Sequence, residues 1–247
     1  MRKSQCIVLI PIYQNELNEY EKKSIFNTID KFDGIYDTYY LIGEHFDLNS
    51  FYKINNIKSE YQINYYMFED FYFKDISSYN NLLLSNNFYE TFKDQYKYIL
   101  IVQTDAYIFN QFKIFDFINK DYKFIGAPVI WPDALVRFSM FKRGIYYNGG
   151  LSLRDINFCL DCLSNKEYLD KLSSYGYLDE DMIFSSFMQE FYSSPTYIEA
   201  LNFSLDNQIN CYAPVLDFKP PFGVHHFWND DDNGNNKLQY IKNLKWI

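Results

Sequence analysis

Two uninterrupted apolar runs, at residues 6–12 and 98–102, constrain the fold of this chain more than any other feature of its sequence. Both runs are rich in β-branched residues, and such runs are typical of strands buried on both faces inside a parallel sheet. The first run is followed by Tyr13 and the second by the polar residues Gln103, Thr104 and Asp105. We therefore predict two central strands of one sheet, with these four residues at the strand ends.

The segments around these runs alternate between strand and helix patterns. A helical spacing of apolar residues over 17–32 predicts a helix, which we expect Asn15 to cap and Asp33-Gly34 to end. Further strands are predicted at 38–42, 63–68 and 124–127, and further helices at 77–92, 155–163 and 179–192. This order predicts an α/β fold, in which helices flank a doubly wound, mostly parallel sheet in a single domain spanning residues 1–247.

Charge and cysteine content exclude several classes of function. A net charge of −9 argues against a nucleic acid as the main partner, because binding to a phosphate backbone depends on clustered Lys and Arg. The apolar run near the start of the chain is too short for a signal peptide or a membrane span, so we expect a cytoplasmic protein. The four cysteines are too sparse for a disulfide scaffold, and Cys159 and Cys162 are interpreted as buried thiols.

The strand ends are the first place to look for a ligand, since open α/β sheets bind ligands beyond the carboxyl ends of their strands. Asp105 stands there, with Gln103 two positions before it. A carboxylate of this kind suits Mn²⁺ or Mg²⁺, whose remaining positions are filled by the phosphates of a substrate. His225, which follows a turn rich in Pro and Gly, is a candidate to complete the coordination. The alternative is an aspartate that only opens the next turn.

An acidic pair and a glycine pair are further candidates. Glu180 and Asp181 open a predicted helix, where negative charge is favoured by the macrodipole. Alternatively, one carboxylate binds sugar hydroxyls while the other removes a proton from an acceptor. The segment from Asn148 to Gly150 is predicted to be a turn, whose glycines let a ligand approach the backbone.

Basic residues are concentrated in two segments for which two interpretations stay open. Arg137, Lys142 and Arg143 lie in a long connection over 131–147, which is either a lid that closes over a diphosphate or a solvated surface loop. The segment 237–247 mixes Lys with apolar residues. It either contacts a membrane that carries a lipid-linked acceptor or packs against the sheet.

A series of short motifs runs along nearly the whole chain, at 9–13, 79–89, 98–106, 121–128, 148–154, 180–181, 200–204 and 221–225. They include Tyr-Asn-x-Leu, Gln-x-Asp-Ala, Gly-Ala-Pro, Asn-Gly-Gly-x-Ser-Leu-Arg, Glu-Asp and Pro-Phe-Gly-x-His. In this order they resemble a bacterial family of glycosyltransferase-like proteins with a GT-A fold, long catalogued as a domain of unknown function.

The resemblance implies where a nucleotide-sugar donor binds. Residues 103–105 occupy the place of the DxD motif of GT-A enzymes, whose last Asp, here Asp105, binds the metal that holds the donor diphosphate. The residues implied to border the nucleotide are Pro11, Ile12, Tyr13, Asn80, Gln103 and Thr104. Residues 1–110 are then the nucleotide-binding half of the domain, and residues 111–247 the half for the donor sugar and acceptor.

The resemblance also implies the residues that take part in the reaction. The floor of the donor-sugar site is assigned to Asn148, Gly149 and Gly150. Asp181 is implied to be the catalytic base beside Glu180, and His225 to be the second metal ligand. His226 competes with His225 for that role.

The implied activity is transfer of a sugar from a nucleotide donor, UDP-linked, to a hydroxyl of a glycan or lipid-linked glycan, with inversion. Such an enzyme would serve the synthesis of bacterial cell-surface polysaccharide. Two alternatives remain, a nucleotide- or glycan-binding module without catalysis and a nucleotidyltransferase. The second lacks support because no basic, Gly-rich phosphate loop follows the first strand. One departure from the family pattern is Asp206, which ends a Phe-Ser-Leu-Asp segment where the family has Phe-Ser-Phe-Glu.

Overall fold

The computed structural model of the chain describes residues 4–130, 145–174, 176, 178–206, 209–228 and 236–247. Its strands are β1 (Ser4–Pro11), β2 (Asp37–Gly43), β3 (Tyr65–Phe68), β4 (Tyr96–Val102), β5 (Tyr107–Ile108), β6 (Phe124–Ile130), β7 (Ile145–Asp155), β8 (Ser204–Leu205) and β9 (Gly223–Val224). Its longer helices are α1 (Glu19–Phe32), α2 (Leu48–Ile54), α3 (Ile76–Leu83), α4 (Asn86–Glu90), α5 (Ile114–Asn119) and α6 (Ile156–Ser164). They continue with α7 (Lys166–Ser173), α8 (Glu180–Phe191), α9 (Tyr197–Phe203), α10 (Ile209–Tyr212) and α11 (Lys237–Asn243). Short 3-10 helices lie at Ser59–Tyr61, Asp70–Phe73, Gln111–Lys113 and Pro214–Leu216.

The main sheet has the strand order β3-β2-β1-β4-β7-β6 within the described residues. Strands β3, β2, β1 and β4 pair in parallel, whereas β7 runs antiparallel to both β4 and β6. A small second sheet, β5-β9-β8, adjoins it. The prediction of a mostly parallel sheet flanked by helices is therefore confirmed, with β7 as the antiparallel strand.

The two apolar runs form the adjacent strands β1 and β4, and both faces of these strands are buried. In β1 the side chains of Ile7 and Leu9 enter one hydrophobic cluster, and those of Cys6 and Val8 enter the cluster on the opposite face. Alternate side chains of a strand point to opposite faces, so an uninterrupted apolar run is required where helices cover both. This places the polar ends of β1 and β4 side by side at one edge of the sheet.

Two predicted helix boundaries were wrong. The N-cap of α1 is Asn18 and not Asn15, because Asn18 and Glu21 form a capping box in which each side chain accepts a backbone N–H of the other. The predicted helix over 77–92 is two helices, α3 and α4. Ser85 accepts the backbone N–H of Phe88 and thereby starts the second helix.

The segment Asn148 to Gly150 is not a turn but an irregular part of strand β7. Ala127 pairs with Asn148 and Ile125 pairs with Leu153, so Gly126 of β6 faces four residues of β7. The positive φ angles among the described glycines are those of Gly34 and Gly176, so the glycines of this segment are not required for left-handed backbone. They form a bulge, a feature that redirects a strand next to functional sites.

The C-terminal helix α11 packs on the protein. Leu238 and Ile241 are buried in a hydrophobic cluster with Leu201, Leu205 and Phe227. This supports the packing interpretation of the segment 237–247. Over the described residues we find no helix with the length and apolarity that a membrane crossing requires.

Two further sequence predictions concern the proposed lid and the cysteines. Arg137, Lys142 and Arg143, the proposed lid residues, lie outside the described residues. Cys159 and Cys162 are buried in the core as predicted, and burial raises the pKa of both thiols.

Candidate functional site

Two carboxylates and two imidazoles meet where the main sheet joins the small one. Asp105 follows β4, Asp206 follows β8, and His225 and His226 follow β9. His225 Nε2 lies 3.2 Å from Asp105 Oδ1, and His226 Nε2 lies 2.9 Å from Asp105 Oδ2. Gln103 Oε1 is 3.1 Å from His225 Nε2. The sequence prediction that residues 103–105 and His225 meet is therefore matched by the structure, which adds His226 and Asp206.

The charges of this cluster stabilise one another. Burial by itself would raise the pKa of Asp105, but the imidazoles of His225 and His226 outweigh it and hold that pKa far below its usual range. Burial by itself would lower the pKa of His225, whereas Asp105 and Asp206 raise it to about 10. Without a cation, His225 therefore carries a proton at neutral pH. A metal ion would take the place of that proton, because imidazole binds metals in its neutral form.

The cluster also has the donor set and the unmet bonding capacity of a cation site. One ligand atom from each of Asp105, His225 and His226 lies within 4.8 Å of the others. Within the described residues, Asp105 Oδ1 is buried and receives no hydrogen bond. His225 Nε2 lies 3.2 Å from this oxygen without completing a hydrogen bond, so the oxygen keeps bonding capacity that a cation between the two atoms would use. The residues therefore fit a divalent cation.

A second acidic group, Glu180 and Asp181, lies at the start of helix α8. Asp181 Oδ2 accepts the backbone N–H of Gly149 at 3.0 Å. Its other oxygen, Oδ1, is buried and has no hydrogen-bond partner among the described residues. Burial raises the pKa of Asp181 well above its usual range, and the neighbouring charge of Glu180 raises it further. A carboxylate with such a pKa and a free oxygen is suited to accept a proton near neutral pH.

Glu180 is held by a buried arginine that the sequence analysis did not single out. Arg154 Nη2 donates to Glu180 Oε1 at 2.6 Å and to the carbonyl oxygen of Gly149 at 3.2 Å. The Arg154 side chain is fully buried, with its guanidinium over the rings of Phe124 and Phe184. Arg154 thus fixes Glu180 and the carbonyl of Gly149, the residue whose N–H donates to Asp181. The signal was present in the sequence as the Arg that ends the Asn-Gly-Gly-x-Ser-Leu-Arg motif.

The two consecutive glycines of the β7 bulge connect these groups. A Cβ atom on Gly149 would stand 2.5 Å from Glu180 Oε1, and a Cβ atom on Gly150 would collide with the His225 ring and stand 2.6 Å from Gln103 Oε1. Consecutive Cα atoms are about 3.8 Å apart. The histidine–aspartate cluster and the acidic pair therefore lie against neighbouring residues of β7. Since a side chain at either position would displace one of these groups, the glycines are required, and the region beside them is called the crevice.

The end of β1 borders a groove at the same edge of the sheet. Pro11 and Ile12 are buried, whereas Tyr13 is 37% exposed. Ile12 and Tyr13 line a groove of 430 Å³ together with Gly43, His45 and Asp70, among other residues. This groove lies beyond the carboxyl ends of β1 and β2, where a nucleotide is expected in an open α/β sheet.

Tyr13 extends from this groove toward both acidic groups. Its ring packs edge-on against Tyr79 at 5.5 Å. The pKa of its hydroxyl is raised well above the usual range, first by its partial burial, then by Tyr79 and by the negative charges of Asp105, Glu21 and Glu180. Tyr13 therefore lies close enough to both acidic groups to interact with their charges.

The remaining predicted site residues lie in different parts of the site. Thr104 Oγ1 lies 3.5 Å from Glu21 Oε1, beside the start of α1. The Asn80 side chain donates to Asp179 at 2.7 Å, next to the acidic pair rather than in the groove of Tyr13. Asn148 Oδ1 accepts the backbone N–H of Gly150 at 2.8 Å, which holds the bulge in shape.

Solved structures of glycosyltransferases share the fold of this chain. The galactosyltransferase LgtC, in complex with donor and acceptor sugar analogs, superposes with a TM-score of 0.61 at 9% identity, over 98% of this chain and 95% of that chain. Mouse xyloside xylosyltransferase 1 superposes with a TM-score of 0.57 at 10% identity, over 94% and 99% of the two chains. The bifunctional glycosyltransferase WbbM gives 0.53 at 12% identity, over 99% of this chain and 50% of that chain. At these identities the likeness shows the fold alone, and it confirms the predicted GT-A class.

Sequence comparison gives the family. None of the curated proteins matches the chain. Residues 62–225, more than half of the chain, match the family described as "Protein of unknown function (DUF5672)". This segment contains Asp105, the bulge glycines, the acidic pair and His225. The chain belongs to the DUF5672 family.

Proposed function

We propose that this protein is a metal-dependent glycosyltransferase, which moves a sugar from a nucleotide-sugar donor to a hydroxyl of a glycan or lipid-linked glycan. The observation that carries the proposal is the pair of consecutive glycines, which joins a cluster suited to a cation to a buried carboxylate suited to take a proton. Diphosphate departure and hydroxyl attack need these two groups on one crevice. The shared fold with LgtC and xyloside xylosyltransferase 1 supports the same class of reaction.

Asp105 and His225 are proposed to hold Mn²⁺ or Mg²⁺. When bound, the cation would neutralise charge that develops on the diphosphate of the donor. The diphosphate leads from there to the nucleotide, for which we propose a UDP moiety in the groove of Tyr13. Pro11, Ile12, Tyr13, Gln103 and Thr104 are proposed to form this half of the site, within residues 1–110, whereas Asn80 lies beside the acidic pair.

Asp181 is proposed to be the general base of a single displacement. The acceptor oxygen attacks the anomeric carbon, the bond from this carbon to the diphosphate oxygen breaks, and the electron pair leaves with the diphosphate. The acceptor proton goes to Asp181 Oδ1, the oxygen that has no partner, while Oδ2 stays bound to the Gly149 N–H. The product then has inverted configuration at the anomeric carbon.

Glu180 is proposed to act through Asp181. Because its Oε1 is bound by Arg154, this carboxylate is held in place beside the base and keeps the pKa of Asp181 high. Asn148, Gly149 and Gly150 are proposed to floor the donor-sugar site, within residues 111–247. A wider role in bacterial cell-surface polysaccharide synthesis belongs to the same proposal. So does a cytoplasmic location.

The class of reaction is tested by incubating the full chain with Mn²⁺ and a panel of sugar nucleotides and acceptors. We expect release of nucleoside diphosphate, and formation of a glycoside whose anomeric configuration is inverted by ¹H NMR. Pyrophosphate release would instead identify a nucleotidyltransferase, and binding without any product a recognition module. Retention of configuration would exclude Asp181 as the base of a single displacement.

The variant Asp105→Asn tests the proposed metal site. We expect it to lose Mn²⁺-dependent nucleotide binding and product release. Asp155→Asn is its control, because Asp155 is a buried aspartate that caps α6 and pairs with Lys123 rather than with the histidines. If Asp105→Asn kept the parental rate, the proposed metal site would be wrong.

A further inference from the structure

The two histidines of the cluster lie stacked between two carboxylates. Their rings are 3.8 Å apart at an angle of 29°, with both Nε2 atoms toward Asp105. Both Nδ1 atoms face Asp206 Oδ1, at 3.6 Å for His225 and 3.2 Å for His226. The pair is therefore oriented as a unit, with one nitrogen of each ring at each end.

The backbone is shaped to produce this arrangement. His225 donates its N–H to the carbonyl of Leu205, and Phe227 donates its N–H to the carbonyl of Asp105. His226, between them, has a φ of 52°, a left-handed conformation that residues other than Gly adopt rarely. Neighbouring side chains on an extended strand point to opposite sides, and this conformation turns the His226 ring to the side of His225. Such backbone conformations persist where the surrounding structure fixes them, often at functional sites.

Several atoms of the cluster lack the bonds that burial normally demands. Asp105 Oδ1, His225 Nδ1 and Asp206 Oδ1 are all buried without a hydrogen bond to any described residue. The approach of both imidazoles to Asp206 is close, but it does not complete hydrogen bonds in this state. A cation bound by both Nε2 atoms would leave each neutral ring with its proton on Nδ1, the nitrogen that faces Asp206, in the manner of carboxylate–histidine–metal sites.

We propose that His225 and His226 are both ligands of the cation, that Asp105 is the third, and that Asp206 positions the pair. As acceptor of two Nδ1–H groups, Asp206 fixes each imidazole in the tautomer whose Nε2 lone pair faces the metal. The inference rests on the proposed function, which assigns a metal to Asp105 and one histidine.

This donor set determines which cation is bound. Two imidazole nitrogens and one carboxylate favour first-row transition ions, whereas Mg²⁺ prefers sites of oxygen ligands. We therefore expect affinity to rise from Mg²⁺ through Mn²⁺ to Co²⁺. The site selects a transition metal, and Mg²⁺ does not substitute for it at equal concentration.

The direct test is pulsed electron paramagnetic resonance of Mn²⁺ bound to the full chain without substrate. Modulation from the ¹⁴N nuclei of two imidazoles is expected for the wild-type chain and of one imidazole for His226→Gln. Calorimetric titration should give Mn²⁺ at least ~10-fold tighter than Mg²⁺, with this preference reduced in His226→Gln. A single imidazole on Mn²⁺ in the wild-type chain, or equal affinities for the two cations, would overturn the inference without any variant.

Asp206→Asn tests the positioning residue. We expect Mn²⁺ affinity to fall ~10–100-fold, since loss of an outer carboxylate has this effect on metal sites. Asp206→Glu, which keeps the carboxylate, should recover most of it, and Asp155→Asn should leave it unchanged. Equal Mn²⁺ affinity for Asp206→Asn and the wild-type chain would remove Asp206 from the site. Product release with one coordinated imidazole would preserve the proposed function and refute this inference, whereas two imidazoles without product release would do the reverse.

Discussion

Two aspartates beside the β7 glycines, the partly exposed Asp105 and the buried Asp181, have opposite acid–base properties. Asp105 lies between two imidazoles, which outweigh the effect of burial and lower its pKa. Asp181 lies beside another carboxylate, and both burial and Glu180 raise its pKa. Each aspartate has a buried oxygen that receives no hydrogen bond from the described residues. The same side chain is thus kept ionised at one position and able to hold a proton at the other.

The difference shows that the neighbours of a carboxylate decide whether the effect of burial on its pKa is reversed, as at Asp105, or reinforced, as at Asp181. An ionised carboxylate is what a cation requires, and a carboxylate with a raised pKa is what proton transfer requires. Pairs of titratable groups whose surroundings push their pKa values apart mark the division of acid–base roles in many active sites. The predictions below test this division.

The largest expected effect is on turnover. Asp181→Asn keeps the shape of the side chain and the hydrogen bond from Gly149 but cannot accept a proton. We expect kcat to fall by roughly 10²–10⁴, the usual contribution of a general base, with nucleotide affinity unchanged. Product formation and nucleotide binding are measured on the same preparation. A variant that turned over at the parental rate would show that the base is elsewhere.

Adding a methyl group to one glycine or the other tests the metal cluster and the acidic pair separately. Gly150→Ala places a Cβ against His225 and Gln103, so we expect ~10–100-fold weaker Mn²⁺ binding. Gly149→Ala places a Cβ against Glu180 and Arg154, so we expect lower turnover with Mn²⁺ affinity retained. Metal titration and kcat are measured for both variants. Identical losses in both would mean that the bulge acts only as structure.

In protein treated with a chelator, substitutions of Asp181 and Asp105 should change the folding stability in opposite directions. A raised folded-state pKa means that Asp181 lowers stability as pH rises past the ordinary Asp range, so Asp181→Asn should stabilise the fold at pH 7. A lowered pKa means that Asp105 adds stability above that range, so Asp105→Asn should destabilise it. We expect roughly 1–3 kcal/mol in each direction from thermal unfolding. Both differences should shrink in strong acid, and equal signs would contradict the comparison.

The smallest effect is a displacement of the pH profile. Activity should rise with pH as Asp181 loses its proton, at a pH above the ordinary range of an aspartate. Burial is the main cause of the raised Asp181 pKa, and the charge of Glu180 is the second. Glu180→Gln should therefore move this rise to lower pH, but the part of the pKa shift that burial causes should remain. The profile of kcat against pH measures it. An unmoved profile would show that Glu180 does not act on the base.

The sequence predicted the sheet well and the bulge poorly. Runs 6–12 and 98–102 predicted β1 and β4 because burial on both faces demands continuous apolar residues. The boundary between α3 and α4 escaped because it depends on one capping side chain, Ser85, inside an otherwise helical pattern. Asn148 to Gly150 was taken for a turn because Gly-Gly is common in turns. The reason for these glycines is instead the space occupied by Glu180 and His225, which only the folded chain brings there.

The candidate site was predictable where a motif named a single residue and not where two segments meet. Asp105 and His225 followed from their motifs, and the structure places them together. The sequence predicts His226 only as a competitor of His225, because the direction in which its ring points depends on a left-handed φ. Asp206 and Arg154 had no predicted role, since their partners come from distant segments and no spacing along the chain indicates them.

The bulge in β7 has a consequence for how such a protein can diversify. Because the histidine–aspartate cluster and the acidic pair each pack against one of two neighbouring glycines in a strand of the main sheet, any side chain introduced at either position would displace one of the groups. Changes in the surrounding loops do not meet this limit. The strand is therefore restricted to glycine at these two positions, while the sequence of the loops around it is free to vary.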